Sequence, residues 1–231
     1  NQFTHNALLR PIIGQSKSTI DFRQAMDSGK IILVNLSKGL LGELDTQLLG
    51  MLIIGKIFSS AMGRVMQRPE DRRPMYLYID EFQNFTTDSV AHLLSEARKF
   101  GIFLTLANQN MTQLKSNSGK NNILDSVLGN VGSMLILRLG AIDSEKMETY
   151  TKPELLAQEL QDLPDFRVAA RLLNKNAPTR PFVFKTVPMM QPDDSTIAKE
   201  VVLSSRRNYT KPTEEVESNI SKRRERQKEP S

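Results

Sequence analysis

The sequence contains no cysteine and no tryptophan, and its two histidines, His5 and His92, stand far apart. Without cysteine there is neither a disulfide framework nor a thiolate metal site, so a reducing, cytoplasmic compartment is expected. Two distant imidazoles give no basis for a histidine metal centre or a His-based catalytic triad. Long apolar runs are scarce too: no stretch reads as the roughly 20 residues needed to cross a bilayer, and residues 1 to 15 lack the profile of a secretory signal. The segment is therefore expected to be soluble and to make no direct membrane contact. Internal repeats and low-complexity blocks are absent. The chain opens Asn-Gln-Phe-Thr-His, without Met, and reads as part of a longer protein.

Of the 231 residues, 39% are hydrophobic, enough for a sizeable core. A formal charge of +5 tolerates a polyanionic partner without identifying one. Short apolar runs at Ile31–Leu36, Met75–Ile79, Ile102–Leu106 and Ser133–Leu139 read as strands, and the first, rich in β-branched residues, suits a strand covered on both faces. Between them, helical spacing is expected over Ile20–Met26, Asp45–Met66, Asp88–Phe100 and Asn122–Leu128, with Thr87 or Asp88 as N-cap and Gly101 as the stop of the third. Strands alternating with helices at this rhythm predict an α/β fold with an open, mostly parallel sheet. Val168–Leu173 and Phe182–Lys185 are expected to close it as a hairpin. Beyond Pro188 the composition turns charged, which sets a domain at 1–188 and a tail at 189–231, helical in patches and mobile at its end.

The chemistry concentrates where Met75-Tyr-Leu-Tyr-Ile79 ends on Asp80-Glu81. A buried strand delivering two carboxylates at its carboxyl end has the form of a Walker B segment, in which the first acid holds hydrated Mg²⁺ and the second orients a water. The same pair is also what an ordinary strand end meeting solvent looks like. Gln109 closes the next strand, and parallel neighbours deliver their ends to one side, so it is expected beside the acids, as a phosphate-sensing amide or as a plain loop residue. Arg98 falls in the last turn of a helix, where it either complements the dipole or serves as an arginine finger toward a neighbour's nucleotide. All four side chains are expected along one rim of the sheet.

Two glycine-lysine runs are rejected as phosphate loops. Gly50-Met-Leu-Ile-Ile-Gly55-Lys56 is apolar throughout, has Ile57 where a hydroxyl is needed and sits inside a helical pattern. Gly14-Gln-Ser-Lys17 lacks the second glycine. Arg72-Arg73 and the basic tail could meet DNA phosphates, but charge runs are usually solvated faces.

Lys30-Ile-Ile-Leu-Val-Asn-Leu-Ser-Lys-Gly39, Tyr78-Ile-Asp-Glu-Phe-Gln83, Ser95-Glu-Ala-Arg-Lys-Phe-Gly101, Ala107-Asn-Gln109 and Leu128-Gly-Asn-Val-Gly132 together resemble the carboxyl half of HerA/FtsK-type P-loop motors. Within them, the chain resembles most the coupling ATPases of conjugative type IV secretion, the TraG/TraD class, over about residues 8 to 188. Ser205-Arg-Arg-Asn-Tyr209 and Val216-Glu217 add to the likeness.

The resemblance implies a RecA-like fold, ATP and Mg²⁺ as cofactors, a hexameric ring, and DNA driven through its channel. In the full-length protein it implies a place at the cytoplasmic face of the inner membrane. Carried over by position, Asp80 and Glu81 match the Walker B pair, Arg98 the finger and Gln109 the sensor. The family's Walker A loop has no counterpart here, which leaves ATP turnover to a longer chain. Two other readings stay open: a non-catalytic module that docks a relaxosome or secretion-channel protein through residues 140–231, and a HerA-like DNA-processing translocase.

Overall fold

A computed structural model describes residues 6–85, 96–114, 123–189 and 195–226. The chain divides into two compact units, Asn1–Met75 together with Pro192–Ser231, and Tyr76–Gln191.

The first unit is helical: α1 (Leu9–Ile13), α2 (Phe22–Ser28), α3 (Lys38–Leu41), α4 (Glu43–Met62), α8 (Ser195–Tyr209) and α9 (Thr213–Arg226). Helix α2 starts where the Asp21 side chain accepts from the Gln24 amide at 2.9 Å, satisfying one of the amides that a helix start leaves unpaired. It ends at Gly29, whose φ of 67° lets its N–H turn back to the carbonyls of Ala25 and Met26. The long α4 buries Thr46, Leu49, Gly50, Ile54, Ile57, Phe58 and Ala61, the three-and-four spacing of one helix face, and packs on α2 and α3.

This helix corrects one expectation. Continued through the turn after it, Glu43–Met66 is long and apolar enough to cross a membrane by length and composition. Its buried stripe and the charged Lys56 along its length describe the core helix of a folded unit. Gly50, Gly55 and Lys56 lie inside α4, so no phosphate loop forms there.

Helix α9 docks on α1 through buried Val216 and Ile220. The Arg10 guanidinium donates to both carboxylate oxygens of Glu217, and this hydrogen bond raises the arginine above its ordinary value. Arg223 donates to the Gly14 carbonyl, and a side chain at Gly14 would meet Ile220 Cδ1 at 2.8 Å. The segment Ile31–Leu36, expected as a strand, forms none: it lies outside any regular element, with Ile31 89% exposed. A strand needs a ladder neighbour, and among the described residues none pairs with it.

The second unit holds β1 (Met75–Ile79, its first residue at the boundary), β2 (Ile102–Leu106), α5 (Ile123–Asn130), β3 (Met134–Ile136), α6 (Ala141–Thr151), α7 (Ala157–Gln161), β4 (Arg167–Arg171), β5 (Leu173–Asn174), β6 (Ala177–Pro178) and β7 (Phe182–Lys185). The expected mostly parallel sheet is present only in part. Strands β1 and β2 pair with each other, and a separate antiparallel sheet runs β3-β4-β7, with Met134 opposite Arg171 and Val168 opposite Phe184. Ser133–Leu139 therefore belongs to an antiparallel sheet; its apolar content could not distinguish the two, since direction is a property of the partner.

The expected hairpin of β4 and β7 forms, with the small β5-β6 ladder filling the span between them. Ile136, Met147, Leu160, Leu163 and Ala169 make the core under this sheet, so α6 and α7 cover one of its faces. Thr87 and Asp88, the proposed N-caps, lie outside the described residues. Gly101 ends the turn at Ala97–Phe100 with φ 76°, as expected of a stop.

Candidate functional site

The residues of interest begin where β1 runs out. The Ala107 N–H donates to the Ile79 carbonyl at 3.0 Å, and the Ala107 carbonyl accepts from the Phe82 N–H at 2.9 Å. One residue bonded on both flanks of its neighbour is the parallel pattern, but a regular ladder would place a single residue between those two partners. Here Asp80 and Glu81 both stand between them. The extra residue makes a bulge, and Glu81 takes φ 48°, a left-handed conformation that side chains such as glutamate rarely adopt.

The bulge leaves the Glu81 N–H without a ladder partner, and the Asp80 carboxylate fills the gap, accepting it at 2.9 Å. Both acids are thereby set at the carboxyl end of β1, Asp80 exposed and Glu81 half-buried. Gln109, three residues past the end of β2, donates from Nε2 to Glu81 Oε1. Gln83 donates from Nε2 to Glu81 Oε2 at 2.5 Å. The carboxylate is held between two neutral amides, which fix its orientation without supplying a countercharge, and its remaining lone pairs can still accept from a water.

Gln83 was not among the residues singled out from sequence. Its two-residue spacing from the acid was the available signal, because the short turn Phe82–Phe85 folds it back.

Arg98 is a correction to the single rim. It lies exposed in the turn Ala97–Phe100, before β2, whereas the acids follow β1. In a parallel pair these are opposite ends, separated by a five-residue strand, about 16 Å at the usual rise per residue. Asp80, Glu81 and Gln109 come together; Arg98 does not join them.

Among the described residues no group of three or more His, Cys, Asp or Glu side chains could hold a metal. Mg²⁺ is commonly bound by only one or two carboxylates, with waters and phosphates completing its shell, so the donor set of Asp80 fits that ion. Its Oδ1 is engaged by the Glu81 amide, and its Oδ2 accepts from no protein group among the described residues.

Residues 74–152 match a family model described as the TraM recognition site of TraD and TraG. Among solved structures, the chain is similar to the plasmid coupling protein TrwB in complex with ADP and Mg²⁺, at 15% identity and TM-score 0.60, covering 76% of this chain and 45% of that one. TrwB in complex with the non-hydrolysable GTP analogue GDPNP gives 15% identity, TM-score 0.57, and coverage of 72% and 43%. These likenesses show the fold. The chain thus spans less than half the length of the solved chains it resembles. No curated protein matches the sequence.

Proposed function

We infer that this chain, which carries the carboxyl-terminal part of a TraG/TraD-type coupling protein, supplies the water-orienting edge of an ATP-driven DNA translocase of conjugative type IV secretion. The observation that carries the reading is the clasp of Glu81 by Gln109, next to an Asp80 with an oxygen to spare. Glu81 orients the attacking water, and Gln109 answers to the terminal phosphoryl group through the same carboxylate. Asp80 would hold Mg²⁺, and the ion would supply charge neutralisation on the phosphates. Arg98, at the far end of the strand pair, serves a neighbouring subunit's nucleotide in a hexameric ring.

The solved relatives were captured with nucleotides, and more than half of their length lies beyond the part matched here. The grip on the β and γ phosphates belongs to a Walker A loop in the rest of the whole protein, and residues 1–188 complete that domain. The whole protein works in the cytoplasm, at the face of the inner membrane.

The test uses the full-length protein. Glu81→Gln should cut ATP turnover by about 10²-fold or more while nucleotide affinity stays nearly intact. Arg98→Ala should do the same, and rings mixing the two variants should recover activity if the finger acts in trans. Normal turnover in Glu81→Gln would remove the role given to this acid.

A second reading is favoured by the description of the matching family: a module docks a relaxosome protein of the TraM kind, through the matched residues 74–152, which meet the expected 140–231 only at 140–152. Binding of such a partner without nucleotide would support docking by this segment, whereas strict dependence on ATP and DNA would support the motor alone. A HerA-like DNA-processing translocase would share the chemistry and differ in pathway.

A further inference from the structure

The Glu81 clasp does not stand free. Two residues beyond Gln109, the Met111 N–H donates to Asp143 Oδ2 at 3.2 Å, and Asp143 lies half-buried in the first turn of α6. The Met111 side chain packs against the core of Ile136, Met147, Leu160, Leu163 and Ala169. Between these anchors the Asn110 side chain accepts from both the amide, at 2.8 Å, and the hydroxyl, at 2.6 Å, of Thr112, which turns the chain into Met111–Leu114. On the other side, Ala107 is bonded twice to the β1 edge. The span from Gln109 to Met111 is two residues, at most about 7 Å of extended chain. With so little slack, a shift of α6 must reach Gln109.

We propose that Asp143 is a positioning residue for the Glu81–Gln109 pair, fixing the Met111 amide so that the sensor amide and the module of α6, α7 and β3-β4-β7 move together. The inference rests on the motor reading and deepens it. A change at the phosphate-facing amide is passed to the antiparallel module, and whatever occupies that module feeds back on the water-orienting acid. The link needs an acceptor at position 143 and does not need its charge.

The experiment compares Asp143→Ala and Asp143→Asn in the full-length protein. The alanine variant should lose about tenfold in kcat with the KM for ATP unchanged, since nucleotide contacts are untouched. The asparagine variant, which keeps an acceptor oxygen, should restore most of the rate. Hydrogen exchange of the peptide covering 107–114 should be faster in the alanine variant and near wild type in the asparagine one.

Equal loss in both variants would overturn the proposal, because charge would then matter and the acceptor would not. Unchanged kcat in Asp143→Ala, or reduced kcat with unchanged exchange at 107–114, would overturn it as well. A loss that simply follows a fall in Tm would assign Asp143 a purely structural role. If wild type shows no turnover, or Glu81→Gln retains it, the motor reading fails first and the proposal falls with it.

Discussion

Arg64 is the largest of the fully buried side chains among the described residues, and a guanidinium in that position must be paired. Its Nη2 meets Asp27 Oδ1 at 2.9 Å and its Nη1 donates to the Arg73 carbonyl at 3.0 Å, tying the end of α4 to α2 and to the chain leading into β1. Burial works against ionisation of Asp27, but the hydrogen bond and charge of Arg23, with those of Arg64, outweigh it and hold the carboxyl below its ordinary value. A lowered folded value stabilises the fold above the unfolded value near pH ~4, and that stability is lost as pH falls through the folded one.

Asp27→Asn should therefore cost roughly 2 kcal/mol at neutral pH, less than a fully buried pair would, because Asp27 remains partly solvated. Thermal unfolding followed from pH 7 to below 4 should show the difference between variant and wild type shrinking; a constant difference would mean that the carboxylate charge is irrelevant. The site was legible at this scale in part. Asp80, Glu81 and Gln109 could be read because strand ends and acids are visible in sequence. The left-handed Glu81 and the clasp by Gln83 could not, since a bulge is defined by the partner strand's hydrogen bonds.

At the scale of elements, compact patterns were readable and pairings were not. β1, β2 and most of α4 fall where apolar spacing placed them, because each is decided by its own residues. Ile31–Leu36 has a strand's composition and no neighbour, and Ser133–Leu139 has a strand's composition and an antiparallel one. Helix α6 was missed: its buried Ser144, Met147 and Thr151 leave too few apolar residues to show a period.

Two element-scale predictions follow from packing. Gly101→Ala forces a side chain into φ 76° at the entry to β2 and should cost about 1 kcal/mol or somewhat more in stability. Chemical denaturation measures it, and an unchanged midpoint would argue against that backbone conformation. Val216→Asp places a charge in the α1–α9 contact and should expose α9 to limited proteolysis, whereas Ile197→Asp on the exposed side of α8 should not. Equal cleavage of both variants would deny α9 its docked position.

For the molecule as a whole, the two units carry different parts of the account. The helical unit of Asn1–Met75 and Pro192–Ser231 holds the buried arginine and the docked α9, and the unit of Tyr76–Gln191 holds the acids, the amides and the family match. Resemblance to the coupling proteins was legible because it rests on short runs of sequence, and the family model matches at residues 74–152, which take in Tyr78–Gln83 and Leu128–Gly132 whole. The position of Arg98 was legible as well, since in the parallel pairing that the sequence predicts, a residue before β2 and acids after β1 lie at opposite ends; the expectation of a single rim overlooked that order.

With the grip on phosphate assigned to the rest of the whole protein, the chain by itself should turn over ATP negligibly, while the full-length protein should do so in a DNA-stimulated manner. The most direct test of the central claim is steady-state ATP turnover of the full-length protein with Glu81 replaced by Gln. Loss of at least about 10²-fold in kcat with nucleotide binding retained is the result predicted. Wild-type kcat in that variant would contradict it.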